Sequence, residues 1–548
     1  MAKIKAGSRP FKSKPWLGLR RIAPFQTEHH ADGQKIRIFW LRLLAWIVSL
    51  ALAAWLGLTG VAYFYIKYTR EFSAVQYHHL FLYPWKSDEY RHARCRFLLD
   101  KGKAQLADKQ YMEAFTNIRL GLAEVPEDTE ARINIVQFYI ALKRYDLAEK
   151  TLADGLKFNL EKHEYVMAYF RFLFSQQQDD HAIEISKKLQ ASGVKTPAIL
   201  HTLVMAEATA HYFRGRYATA ERIVQPEVKA GAPDARLLAA QVQWQLGNRE
   251  RALTLLAEMG NTPMKEEADI YTVRVGYLRE LGRLADIRSL AILRQVEHPD
   301  QPLGYLDELS TLSPDADAVR WAGTVADVFS RFPSNVTALN GLAIAAASRG
   351  QVELAWRVYK HCKAQELPWL ISANAVLEAH LSAKRYSEAL SATQIIQKEN
   401  EEWAKTDGTQ FDAFRSIANY GLGDKSLSEL QLQNYLNDKQ ANAASFVPVA
   451  EHMARVGALD QARIILAAAI KANALDQAAL TRLVELDLEQ LDTLSLVVNT
   501  DRLLVMRKPE PNFLRKIQST LQSDRYIFEG SDALLQKISA RLAQKDEG

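Results

Sequence analysis

Two hydrophobic patterns divide the chain. From Leu43 to Ile66 it runs LLAWIVSLALAAWLGLTGVAYFYI, 24 residues without a charged side chain. A helix of that length rises about 36 Å, more than the roughly 30 Å of a bilayer's hydrocarbon core. Phe39 and Trp40 stand at one end of it, and Tyr63, Tyr65 and Tyr68 at the other. Aromatic rings favour the two headgroup interfaces, so the pattern predicts one transmembrane helix over 39–68. The bulky residues at its end do not suit a signal peptidase, which points to an uncleaved signal anchor. Past residue 90 the apolar residues recur three and four apart and no sustained alternation appears, which predicts helices.

Those helices repeat. Tyr111 to Tyr145, Ala114 to Ala148 and Gly121 to Gly155 are each 34 residues apart, and Ala182 lies 34 beyond Ala148. A small residue tracked along the chain falls at Ala114, Ala148, Ala182, Ala220, Ala252, Ala355, Ala389 and Ala462. Ile287, Trp321, Ser428 and Leu496 hold the degenerate positions. The two long intervals, 38 and 39, predict inter-repeat loops at Gln225–Pro233 and from Lys398 towards Gly408. A 34-residue period built from two helices resembles the tetratricopeptide repeat, or TPR. The first unit resembles it in detail: Gly102 in the first helix, Tyr111 and Ala114 opening the second, and Pro126 closing the unit. Small side chains let the two helices approach, with Tyr145 and Tyr386 recurring beside them to fill space.

The expected fold is therefore all-α: a superhelical α-solenoid of about 10–12 TPR-like helix pairs, preceded by one transmembrane helix. Five regions follow: a basic, disordered cytoplasmic tail (1–38), the span (39–68), an aromatic segment (69–90), the solenoid (91–500) and C-terminal capping helices (501–548). The aromatic segment either rests on the bilayer or caps the first repeat; the cap is preferred because an open repeat must bury something.

Charge changes the picture at one place. The chain carries 69 Lys+Arg against 64 Asp+Glu, a net +5. Residues 1–38 hold nine basic and two acidic side chains, or +7, which leaves the other 510 residues at −2. The basicity belongs to the tail, so no nucleic-acid partner is expected of the repeats. Residues 1–42, up to the uncharged run, hold ten Lys/Arg, and residues 67–86 after it hold three (Lys67, Arg70, Lys86). The positive-inside rule then places the N-terminus in the cytoplasm and the repeats across the membrane, in a bacterium the periplasm.

Candidate chemistry is sparse. No phosphate-binding glycine loop, HExxH or GxSxG occurs. His29-His30 and His78-His79 are adjacent, the wrong spacing for joint ligation on a helix, and no metal or other cofactor is expected. Asp179-Asp180 and Glu401-Glu402 are expected to be solvated charges. Cys95 and Cys362 are expected to be buried small residues, and Asn335-Val336-Thr337 fits a glycosylation sequon. An enzyme acting on a small-molecule substrate is not expected.

Binding is. The resemblance implies a groove lined by the first helices, placing Lys103, Gln137, Arg171, Thr209 and Gln241 in it. Leu106, Ile140, Phe174, Tyr212 and Trp244 border them one turn on. A polar row beside an apolar one suits an extended or helical peptide. The Lys/Asn clamp that some TPR proteins use for a terminal carboxylate has no match here. The expected role is a membrane-anchored scaffold binding other proteins in a bacterial envelope assembly, secretion or polysaccharide system. The alternative is a regulatory subunit of a membrane enzyme or transporter acting through its span, where Gly57 and Gly60 are small.

Overall fold

The computed structural model describes residues 24–30, 33–70, 72–258, 264–438, 443–507, 510–523 and 528–543. The basic residues from Lys3 to Arg21 lie outside these. Within the stretch expected to be disordered, β1 (Phe25–His30) and β2 (Gly33–Ile38) pair antiparallel, with Phe25 opposite Ile38 and His30 opposite Gly33. The alternation Gln34, Ile36, Ile38 against Lys35, Arg37 is short but has the period of a strand.

The apolar run forms α1 (Trp40–Phe64), which ends in a π turn over Tyr65–Thr69. Among the described residues it is the one helix long and apolar enough to cross a membrane. Its side chains point outward: Leu41 is 84% exposed and Val61 72%. The aromatic segment does pack on the first repeat, but it also folds back along α1. Phe72, Val75 and Leu80 are buried against Ala62, Tyr63 and Ile66 on one side and Tyr90, Ala93 and Phe97 on the other. Each fully buried side chain of this kind contributes roughly 1.5–3 kcal/mol. The segment includes the short helix α2 (Tyr77–Phe81).

From α3 (Ser87–Ala107) and α4 (Tyr111–Glu124) onward the described helices follow one another in twelve pairs, ending with Gln477–Gln490 and Thr493–Val505. The tracked small residue has one address throughout. It is the fourth residue of each second helix, from Ala114 in α4 to Leu496 in Thr493–Val505. All twelve are buried; Trp321, at 7%, is the most exposed of them. Close approach requires the glycines too: a Cβ on Gly102 would lie 2.5 Å from Ile118 Cγ1.

A second address lies five residues earlier, in the turn between the helices of a pair. There the backbone is left-handed in eleven of the twelve pairs, at Lys109, Lys143, Gln177, Gly215, Gly247, Gly282, Gly350, Lys384, Gly423, Gly457 and Leu491. Glycine adopts this conformation freely, whereas other L-residues lose about 1–2 kcal/mol in it. The exception is the pair Leu303–Thr311 and Ala318–Arg331, whose first helix ends on an extended Leu312.

Some expectations need correction. Tyr111 and Tyr145 do not fill space inside their hairpins: each is the first residue of its helix and is exposed, at 59% and 39%. Tyr217 at the same place is buried, and Tyr386 packs so close to Gly421 that a Cβ there would lie 2.7 Å from its ring. Gln225–Lys229 is not a loop but the end of the helix Tyr217–Lys229, with Pro226 inside it; the turn is Ala230–Ala232. After Glu399 an extra helix (Glu401–Asp407) and a 3₁₀ turn (Gly408–Phe411) take up the long interval. The last pair runs to Val505, so the cap begins at Pro511, not 501. Its helices, Pro511–Leu521 and Ser531–Ala543, carry Lys537 to Asp501 at 2.7 Å.

The contacts divide the chain into two units, Met1–Tyr169 and Phe170–Gly548. In the second unit one core runs from Ala346 to Ile538 through Phe411, Leu466 and Leu503.

Candidate partner-binding face and closure of the second unit

The residues expected in the groove occupy one position, eleven before the buried small residue. Lys103 and Gln137, in the first unit, are exposed. Lys103 is taken up by an ion pair with Glu130, which also holds Arg96 at 2.7 Å. In the second unit Arg171 is exposed and Thr209 and Gln241 are half-buried. In the bordering apolar row Ile140 is 38% exposed, whereas Trp244 and Tyr212 are packed. Trp244 is 7% exposed, stacked on Tyr277 at 3.9 Å, and donates its indole N–H to Glu280 Oε2 at 3.2 Å. Tyr212, half-buried, packs on Phe213 and Tyr217.

Continued through the second unit, the same position falls on Ile344, which is 57% exposed, and on Glu378. Desolvation pushes the Glu378 carboxyl above the usual range, with Arg455 drawing it the other way. Asp307, three positions before Ser310, which holds the same place in its own pair, is raised by the same cause despite the ion pair with Arg279 at 3.5 Å. The strip thus mixes free polar ends with carboxylates held out of bulk water.

Sequence reasoning missed the strongest polar site. Asp179 is not a solvated charge: it is fully buried, at the first turn of the helix Asp179–Ala191, where the helix dipole favours a carboxylate. Arg507, just after the twelfth pair, reaches it with Nη2 at 3.0 Å and Nε at 3.3 Å, and Arg214 Nε stands 3.3 Å from its other oxygen. Arg507 Nη2 also donates to Phe174 O at 2.7 Å, and its guanidinium lies 3.7 Å from the Phe213 ring centre. Backbone contacts complete the junction: Gln177 Nε2 donates to Leu475 O at 3.3 Å and Arg214 Nη1 to Val505 O at 3.4 Å. The twelfth pair therefore meets the third and fourth within the second unit. Only Asp180 behaves as expected, exposed and paired with Arg216.

The other candidates resolve locally. His79 Nδ1 accepts from the Gln76 N–H and its ring meets His78 edge-on. Glu401 and Glu402 are exposed in the first turn of their helix. Cys95 and Cys362 are buried, and burial pushes the Cys95 thiol up to about 12. Asn335 caps its helix by accepting from the Ala338 N–H at 3.0 Å. Glu267, Glu297 and His298 come together, but Glu267 already binds the buried Arg294 at 3.3 Å and His298 at 2.9 Å. A cavity of 310 Å³ lined by Arg274, Leu278, Arg283 and Glu250 lies beside the short helix Arg249–Ala257.

Residues 105–169 match the model of a tetratricopeptide repeat family. No curated protein matches the chain. Solved structures similar to it include Naa15/Naa10 bound to HypK-THB, 13% identical, with 90% of this chain and 78% of that one covered and a TM-score of 0.26. Yeast Tom70 is 14% identical over 82% of this chain and 99% of its own, with a TM-score of 0.30. The pentatricopeptide repeat protein PPR10, in complex with an 18-nucleotide RNA element, is 15% identical over 83% and 69%, with a TM-score of 0.41.

Proposed function

We propose that this chain, whose residues 105–169 match a tetratricopeptide-repeat model, is a membrane-anchored scaffold that binds polypeptide segments along the first-helix strip of its second unit. One observation carries this reading: Arg171, Thr209, Gln241 and Glu378 share one repeat position and make no hydrogen bond or ion pair with the described residues. Polar ends at a regular spacing along successive helices can take up the backbone of an extended or helical partner, while Ile344 between them supplies apolar contact. The Glu378 carboxyl favours a basic group in that partner.

Membrane attachment rests on α1, and the basic excess before it supports a cytoplasmic N-terminus with the repeats across the membrane, in a bacterial envelope. Anchoring restricts the scaffold to two dimensions and raises the effective concentration of its partners. Site-specific photocrosslinking from Gln241 and Glu378, in the intact membrane protein, tests the binding reading. A defined partner should cross-link there and not from Val319, which is 90% exposed on a second helix. The same products from all three positions, or none from any, would contradict it. A second reading, a subunit that acts through its span, is favoured by Gly57 and Gly60, where an added Cβ meets no atom within 4 Å. Gly57→Leu should then abolish function without loss of the strip's cross-links.

A further inference from the structure

From Phe72 to Trp85 the chain reads FSAVQYHHLFLYPW, with no Asp, Glu, Lys or Arg. Charges resume at once with Lys86, Asp88 and Glu89. A connector in water has no reason to avoid charge over such a length. This one does not lead away from α1 but descends along it. Trp55 Nε1–H donates to Phe81 O at 3.0 Å. Tyr77 Oη–H donates to Leu56 O at 3.0 Å and stands 3.0 Å from Thr59 Oγ1.

Depth follows from the helix. At 1.5 Å per residue, Trp55 lies about 22 Å along α1 from Trp40, short of the roughly 30 Å of hydrocarbon. A bilayer entered at Trp40 therefore extends some 5–10 Å past Trp55, the depth at which interfacial elements sit. The segment's inner residues are buried, as described, while Tyr83 is 46% exposed, Trp85 74% and Tyr77 37%. Gln76 and His78, both exposed, hold it at the headgroup boundary instead of the bilayer centre. The indole and phenol bonds matter here because an unpaired polar group costs several kcal/mol in hydrocarbon.

We propose that Tyr77–Trp85 is an aromatic wedge inserted into the leaflet on the repeat side, so that lipid covers Tyr83 and Trp85. The wedge couples α3, and with it the first repeat, to a fixed depth and tilt of α1. The proposal rests on the reading of α1 as a span, and the experiment separates the two.

Nitroxide labels are placed singly at Tyr83→Cys, Trp85→Cys, Val48→Cys in the middle of α1, and Val319→Cys in the repeats, in the full chain reconstituted into phosphatidylcholine–phosphatidylglycerol nanodiscs. These positions are exposed, so the substitutions leave the core intact, and the native Cys95 and Cys362 are too buried to label. Relaxation by oxygen and by a water-soluble nickel chelate is measured at each. The wedge predicts that labels at 83 and 85 resemble Val48, with high oxygen and low nickel access, and differ from Val319. Nickel access at 83 and 85 equal to that at Val319, with Val48 still in lipid, overturns the wedge and spares the span. Nickel access at Val48 overturns both. Exclusion of both reagents at 83 and 85 indicates a protein cover and also overturns the wedge.

Discussion

The first repeat is joined to α1, and the last pair, beyond its apolar cap, is joined to earlier pairs; the two joints use different physics. At the first, Phe72, Val75 and Leu80 fill the space between α1 and α3 with apolar side chains. At the last, Arg507 and Arg214 converge on the buried Asp179 and also donate to the carbonyls of Phe174 and Val505, while Gln177 donates to that of Leu475. An apolar seal is tolerant in direction and graded in strength. A buried charge cluster is neither: it specifies one partner and penalises any half-made state. The first suits a joint between the repeats and α1, the second a junction that must meet in one register.

Asp179→Ala leaves two guanidinium groups without their buried carboxylate and should cost about 3–5 kcal/mol. Hydrogen exchange should report it as lost protection over both 174–215 and 475–507, segments far apart in sequence. At the apolar end Phe72→Ala should cost about 3 kcal/mol through the cavity it leaves. Its exchange signature should be confined to 55–97.

Acid sharpens the contrast. Burial lowers the pKa of His211 to about 4, with Arg216 and Lys187 adding to the shift, and lowers that of His452 to about 4, with Arg455 adding. Both are in the second unit. An unfolded histidine takes up its proton near pH 6.5, so their contribution is present above that pH and is lost as pH falls towards 4. Thermal melts of the full chain between pH 7 and 4.5 should show the transition that reports on 211 and 452 moving down as pH falls.

Smaller effects test the repeat geometry common to both ends. Gly155→Ala would drive a Cβ into Tyr165 Oη and Arg132 Cδ and should cost about 1–3 kcal/mol, visible in denaturant titrations. Leu491 holds the left-handed turn that glycine occupies in six other pairs. Leu491→Gly should therefore stabilise the last pair by up to about 1 kcal/mol, read as slower exchange in Thr493–Val505.

How much of this was legible in the sequence follows from how far each signal reaches. The 34-residue period survived because the crossing of two helices accepts only what fits at the fourth position of the second. Even Trp321 and Ser428 stayed there when the small residue was lost. Pro226 misled because a proline late in a helix can be accommodated. Tyr111 and Tyr145 differ from Tyr217 and Tyr386 at the same helix position, which are buried or packed on Gly421, because the first residue of a helix is covered only where a neighbouring element reaches it. Asp179 was misread because its partner Arg507 lies 328 residues away, and no local pattern announces such a pair. The fold back of Tyr77–Phe81 onto α1 had a signal, the uncharged run from Phe72 to Trp85, that fits a cap and a membrane contact alike.

The repeat run of the second unit closes on itself through Asp179 and Arg507. Spin labels at Glu184→Cys and Val498→Cys, on exposed positions of the two helices that flank the junction, measure that closure directly by dipolar spectroscopy on the full chain. Closure gives one narrow distance distribution that broadens and lengthens when Arg507→Ala is added. A broad distribution that Arg507→Ala leaves unchanged would contradict it.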